Sequence, residues 1–214
     1  MITSSQFQDL RALARQKRAE HEVVTTAFGL RELRKIYKTE GIALDYRKLP
    51  AKIRAIYMSD DNDPSVAINK SLPPEPKLFS LAHELKHHYL DRTRIEQGTV
   101  RCGDYNENQD IEIAAEVFAA EFIYPEDEFV AFAGSLALVP LGTTAEQVVQ
   151  FKHDCGVTVS YTFIRKRLER LGFIGRGAFA GIQFQKLEEE IYGLPIYKQP
   201  GFQARRAARR RLVA

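Results

Sequence analysis

The amino-acid sequence predicts an α+β fold, in which a small mixed sheet and a core-facing helix build one domain and a small helical module follows. Three observations predict it. Three short segments rich in Ile, Val and Tyr, residues 42–46, 53–58 and 65–69, are separated by polar or Pro-containing turns, as strands are. Segments with apolar residues at helical spacing lie on both sides of them. The two kinds of element do not alternate as regular strand-helix-strand units, which disfavours a doubly wound sheet.

From the N-terminus, residues 5–21 carry Leu10, Leu13 and Ala14 at helical spacing among Arg11, Arg15, Lys17 and Arg18, the pattern of a surface helix with a basic outer side. A second helix is predicted over 30–38, where Gly41 interrupts the pattern, and the three strand segments follow. Pro73, Pro74 and Pro76 break the chain ahead of a helix in which Leu78, Leu81, Ala82, Leu85 and Tyr89 share one face. Residues 95–102 read as a strand pair turning at Gly98. Ile111, Ala114, Ala115, Phe118 and Phe122 mark another helix that stops before Pro125. Pro140 and Gly142 punctuate an apolar stretch, and two helices over 145–154 and 160–171 turn at Gly156. The predicted organisation is a domain over 1–134, a helical, helix-turn-helix-like module over 135–175 and a basic C-terminal tail over 176–214.

At 214 residues the chain suits one sizeable core with an accessory module. No stretch approaches the roughly 20 apolar residues of a membrane-spanning helix, so no membrane partner is expected. The polar N-terminus lacks the apolar core of a secretory signal. Cys102 and Cys155 lie far apart with no Cys-x-x-Cys pair, which suits free thiols in a reducing compartment and a cytoplasmic location. A net charge of +3 is too small to imply a nucleic-acid partner by itself, although Arg205, Arg206, Arg209, Arg210 and Arg211 crowd the C-terminus.

The chemistry resides in His83-Glu84-Leu85-Lys86-His87. On a helix, histidines four residues apart stand on one face and can point two imidazole nitrogens at one Zn²⁺, and Glu84 between them can take a proton from an attacking water and pass it to a leaving amine. Residue frequencies produce this pattern by chance with a probability on the order of one in a hundred in a chain of this size. Its setting in a core helix sharpens it, because unpartnered histidines and carboxylates there would be costly. The domain is therefore expected to be zincin-like, of the gluzincin type, with this helix as its active-site helix.

A catalytic zinc site needs a third protein ligand. Glu112 and Glu116, one turn apart, interrupt the apolar pattern of the 110–124 helix, and the small neighbours Ala115 and Ala119 would allow it to approach the histidine helix closely. Glu112 is the expected third ligand, and Glu116 is expected to accept the free ring N–H of one histidine. Glu107, Asp110 and Glu121 lie on neighbouring turns as alternatives. His88 follows the motif at a position that cannot share the zinc geometry, and His21 and His153 lack partners at ligand spacing. The strand Val66-Ala67-Ile68-Asn69 is a candidate edge for an extended substrate, with an internal strand as the alternative.

His83-Glu84-x-x-His87-His88, followed by Glu112-x-x-Ala115-Glu116-x-Phe118-Ala119-Ala120 and Pro125, resembles the ImmA/IrrE family of metallo-endopeptidases. Ser65 to Asn69 resembles the strand before that family's active-site helix. Val159-Ser160 with Arg167-Leu168-x-x-Leu171-Gly172 resembles its helical module, so the likeness spans roughly 25–175. It implies zinc held by two His and one Glu, Glu84 as catalytic base, and limited cleavage of a helix-turn-helix repressor that releases mobile-element or stress-response genes. The chain departs from the pattern where Glu116 replaces the usual Asp or Asn and Tyr124 a common Met. Its length fits the short ImmA-like form.

Two rival functions remain at this stage. A DNA-binding regulator with structural zinc would use Arg165, Lys166, Arg167 and Arg170 together with the tail. A peptidase of another duty would serve toxin-antitoxin control or peptide turnover. Leu168 and Leu171 read as packing positions, which favours a substrate-docking or structural role over direct nucleic-acid binding.

Overall fold

The computed structural model describes residues 2–60, 63–98, 109–195 and 198–199. Helix α1 (Ser4–Glu20) is opened by a capping box, in which the Thr3 hydroxyl accepts from the backbone of Gln6 and the Gln6 side chain accepts from the backbone of Thr3. Part of its basic side turns inward, although Arg15 stays partly exposed. The carboxylate of Glu121, 1% exposed, takes Arg11 Nε at 3.1 Å and Arg15 Nε at 2.7 Å, and Arg18 is buried with Nη1 donating to the Phe122 carbonyl. A buried carboxylate needs such partners, and α1 supplies them.

Helix α2 (Leu30–Thr39) ends at Gly41, whose φ of +69° admits the left-handed turn, and Ile42 N–H closes back on the Tyr37 carbonyl at 2.8 Å. Strands β1 (Ala43–Arg47), β2 (Ala55–Asp60) and β3 (Asp63–Asn69) form a mixed sheet in the order β1-β3-β2, β3 running parallel to β1 and antiparallel to β2. The candidate substrate edge at Val66, Ala67, Ile68 and Asn69 is thereby corrected. β3 is the central strand, and both sides are occupied, with Val66 opposite Leu44 and Tyr57.

Helix α3 (Pro74–Lys86) begins on a proline, runs into a π-helical turn over His87–Asp91, and continues as the short α4 (Arg92–Glu96). The strand pair expected over 95–102 is also corrected. Ile95 is helical, and Gly98, at φ +68°, ends α4 through its N–H on the Ile95 carbonyl. The remainder of that pair, with Cys102, lies outside the described residues, as do Glu107 and the arginine-rich stretch 205–211.

Helix α5 (Gln109–Ile123) packs on both α1 and α3. Pro125 then starts a helix the sequence pattern did not disclose, α6 (Glu126–Ser135). Helices α7 (Ala145–Asp154) and α8 (Tyr161–Arg170) turn at Gly156, φ +65°. Within the span read as a basic tail, α9 (Phe184–Tyr192) buries Phe184 and packs against α7.

One hydrophobic core runs from α1 to α9. Leu78, Leu81 and Leu85 of α3 meet Val66 and Ile68 of β3 and Phe118 and Phe122 of α5. The same cluster continues through Phe129 of α6, Phe151 of α7 and Ile164 and Leu168 of α8, with the Phe129 and Phe151 rings 4.5 Å apart. No described helix is long and apolar enough to cross a membrane.

Candidate metal centre

Helix α3 is held firmly at the turn before the motif, where the Tyr37 hydroxyl donates to the Leu81 carbonyl at 2.7 Å. On its other side the fully buried Ala82, Ala115 and Ala119 let α5 come close. That approach brings the first turn of α5 beside the histidines. His83 Nε2 lies 3.0 Å from Glu112 Oε2 and 3.2 Å from His87 Nε2, and His87 Nε2 lies 3.8 Å from Glu112 Oε1. His83, His87 and Glu112 are the one group among the described residues whose donor atoms are close enough to hold a metal ion. Zinc bonds of about 2.0–2.1 Å place neighbouring ligand atoms of a tetrahedron roughly 3.3 Å apart, so the three edges suit one tetrahedral face.

Two further features fit a cation. Burial by itself would lower the pKa of His83, but the hydrogen bond to Glu112 and the charges of Glu84, Glu112 and Glu116 outweigh it and the net shift is upward, the signature of a negative potential. Glu84 is 5% exposed and its Oε2 is buried without a hydrogen-bond partner. Its carboxylate also receives the backbone N–H of Tyr57 in β2, while burial raises its pKa against the lowering effect of the two histidines. A carboxylate anchored from one strand and left with a bare oxygen beside three metal-type donors is placed to receive a proton.

The π-helical turn orients His87. Asp91 Oδ2 lies 2.7 Å from His87 Nδ1 and also receives Lys86 Nζ at 2.6 Å, while Lys86, 3% exposed, donates in addition to the Ile111 carbonyl at 3.2 Å. Burial pushes the Asp91 carboxyl up, but hydrogen bonds from His87 and Lys86 outweigh it and hold the carboxyl below its ordinary range. With Nδ1–H given to Asp91, the lone pair of Nε2 faces the cluster.

Asp91 is thus the residue that sequence reasoning missed, and at His87 it takes the role that the sequence reading gave to Glu116 at one of the two histidines. Its position four residues after His87 was the available signal. Glu116 lines the cavity wall, where Lys166 Nζ comes within 3.8 Å. His88 points away from the cluster, with Nδ1 3.1 Å from the Tyr57 hydroxyl.

The centre opens into a cavity of ≈ 430 Å³ lined by His83, Glu84 and Glu112 on one side and by Lys52, Arg54 and Ala55 on another. A helix pair supplying two His and one Glu, with a buried second Glu at the cavity, is the arrangement of a metallopeptidase domain. Residues 38–138 match the Peptidase_M78 family, described as the IrrE N-terminal-like domain. The likeness to that family covers just under half of the chain.

The matched segment contains every residue of the centre, along with β1 to β3 and α3 to α6, whereas α1 and α7 to α9 lie outside the match. Among solved structures, the chain is similar to a Mycobacterium tuberculosis transcriptional regulator, with a TM-score of 0.50, 18% identity and coverage of 76% of this chain and 46% of that one. The chain thus spans less than half the length of that regulator, and the likeness is one of fold. No curated protein matches the sequence.

Proposed function

We propose that this protein is a zinc-dependent endopeptidase of the cytoplasm that makes a limited cut in a helix-turn-helix transcriptional repressor, releasing mobile-element or stress-response genes. The observation that carries the reading is the convergence of His83, His87 and Glu112 on one point beside the unpartnered Oε2 of Glu84.

His83, His87 and Glu112 would hold the ion, and Asp91 would keep the ring of His87 in the tautomer that presents Nε2. Zn²⁺ held there would supply a Lewis acid able to polarise the scissile carbonyl and acidify the attacking water. Glu84 accepts the proton of that water and delivers it to the leaving amine, and burial, which raises its pKa, makes its carboxylate a readier proton acceptor. Tyr57 N–H fixes the carboxylate for this shuttle. The repressor as partner rests on the family match and on the resemblance of the motifs.

The use of α8 supports the peptidase reading over a DNA-binding one. Arg167 is buried and donates to the Tyr124 carbonyl, with its guanidinium 4.9 Å from the Phe163 ring centroid, and Arg170 is paired with Glu126. Arg167, spent on packing, cannot reach base edges, and Arg170, though exposed, is already ion-paired.

The test combines metal analysis of the purified protein with incubation against a helix-turn-helix repressor encoded beside its gene. About one zinc per chain and a single cut made by wild type, with no cut by Glu84→Gln, is the expected result. Wild type without zinc sinks the proposal, and DNA binding that survives Glu84→Gln in the absence of any cleavage favours the regulator.

A further inference from the structure

A second cavity of ≈ 340 Å³ adjoins the catalytic one, and Arg54, Phe79, Glu116, Thr162 and Lys166 line both. The shared wall makes the two one branched groove. The annex forms where α1 and α8 flank α3 and α5, so helices outside the family-matched segment supply about half of its wall. Its walls are apolar, with Phe79 and Phe163 meeting edge to face at 6.3 Å and Ile113 and Val117 facing them from α5.

The charges around the annex divide into two groups. Arg11, Arg167 and Arg170, deeper in, are engaged: Arg11 with Glu121 and Glu126, Arg170 with Glu126, Arg167 with the Tyr124 carbonyl. At the junction with the catalytic cavity, Glu116 is opposed by Lys166. Arg54, exposed, has no ion-pair partner among the described residues, and neither does Lys52 beside it on the rim of the catalytic cavity. An apolar pocket at the lower end of ligand-site volumes, reached past two uncompensated cations, is complementary to a large apolar side chain next to a carboxylate.

We infer that the annex is the specificity pocket of the peptidase proposed above. It takes an aromatic or large aliphatic side chain of a peptide substrate, and Arg54 with Lys52 takes an adjacent Asp or Glu. The inference rests on the peptidase reading for its placement in catalysis, but the binding it describes does not require cleavage. It gives α8 a direct part in choosing the substrate.

The experiment pans a randomised decapeptide pool against the full-length, zinc-loaded Glu84→Gln protein and sequences what is retained. The same pool is digested by wild type. Enrichment of an aromatic or Leu residue beside Asp or Glu is expected, at a fixed distance from any cut. Ala120→Phe, which fills the annex, should cost on the order of tenfold to a hundredfold in affinity for the enriched peptides, the worth of one buried apolar side chain. Arg54→Glu, on an exposed position that folding does not depend on, should weaken acidic peptides by about fivefold or more and shift enrichment towards Lys and Arg.

Enrichment that responds to both variants upholds the pocket, with or without cutting of the pool by wild type; the repressor assay above decides the peptidase reading separately. Cutting without the motif, a motif indifferent to Arg54→Glu, or no enrichment at all overturns the pocket.

Discussion

Asp91 Oδ2 lies 2.7 Å from Nδ1 of His87, across a π-helical turn that begins at the histidine itself. With Nδ1–H given to Asp91, Nε2 of His87 keeps its lone pair, so on the proposed reading a carboxylate outside the ligand set would tune the centre's affinity. Asp91→Asn should therefore lower zinc affinity by roughly tenfold to a hundredfold, read by competition with a chromophoric chelator. Unchanged affinity would remove Asp91 from the site.

Glu112→Ala and Glu116→Ala should behave differently, although they sit one turn apart on α5. Loss of Glu112 removes one of the three convergent donors and should leave little metal after dialysis, whereas Glu116→Ala should keep about one equivalent. Elemental analysis of the two variants side by side checks this, and equal loss in both would shift the third ligand towards Glu116.

Glu84→Gln is expected to bind zinc as wild type does and to cleave at least about a hundredfold more slowly, the range attributed to a positioned acid-base group. Single-turnover cleavage separates this from a binding defect. Residual cleavage near wild type would require another base.

How much of this was legible in the sequence differs from element to element. Helix α3, the three strands and Glu112 were readable because apolar periodicity, β-branched runs and small residues report local structure and close approach. Asp91 was not, since a π-helical turn has no simple periodic signature. The central place of β3 was hidden because strand order follows from packing and not from the strand's own residues. Arg167 read as a surface cation, but its guanidinium is buried against Phe129 and Phe163. Gly98 suited a hairpin or a helix end equally, and α4 decided for the latter.

Phe151→Ala should destabilise the protein by about 3–5 kcal/mol, as truncation of a fully buried aromatic does. Because Phe151 contacts Phe129 and Phe132 across the expected module boundary, chemical unfolding followed by far-UV circular dichroism should remain a single transition. Two separated transitions would show that the C-terminal helices unfold on their own.

Acid should reveal the Glu40 cluster. Burial raises the Glu40 pKa, but hydrogen bonds with Tyr89 and His21, each 2.8 Å, outweigh it and the folded value lies below the ordinary 4.5. The unfolded chain then binds the proton more readily. The stabilisation is fully present above the unfolded value and is lost as pH falls through the folded one. Stability measured from neutral pH downward should favour wild type over Glu40→Gln by a constant margin until about pH 5, and the margin should shrink below that. A margin independent of pH would exclude this linkage.

The interlocking of Phe129, Phe151 and Arg167 also bears on how such a chain can change over generations. A family-matched segment that ends at residue 138 stops in the middle of this contact. Recombination at that point would strip aromatic faces from both descendants, so the matched segment and the C-terminal helices are expected to be inherited together, with change along α8 arising by point substitution more readily than by exchange of the whole helix.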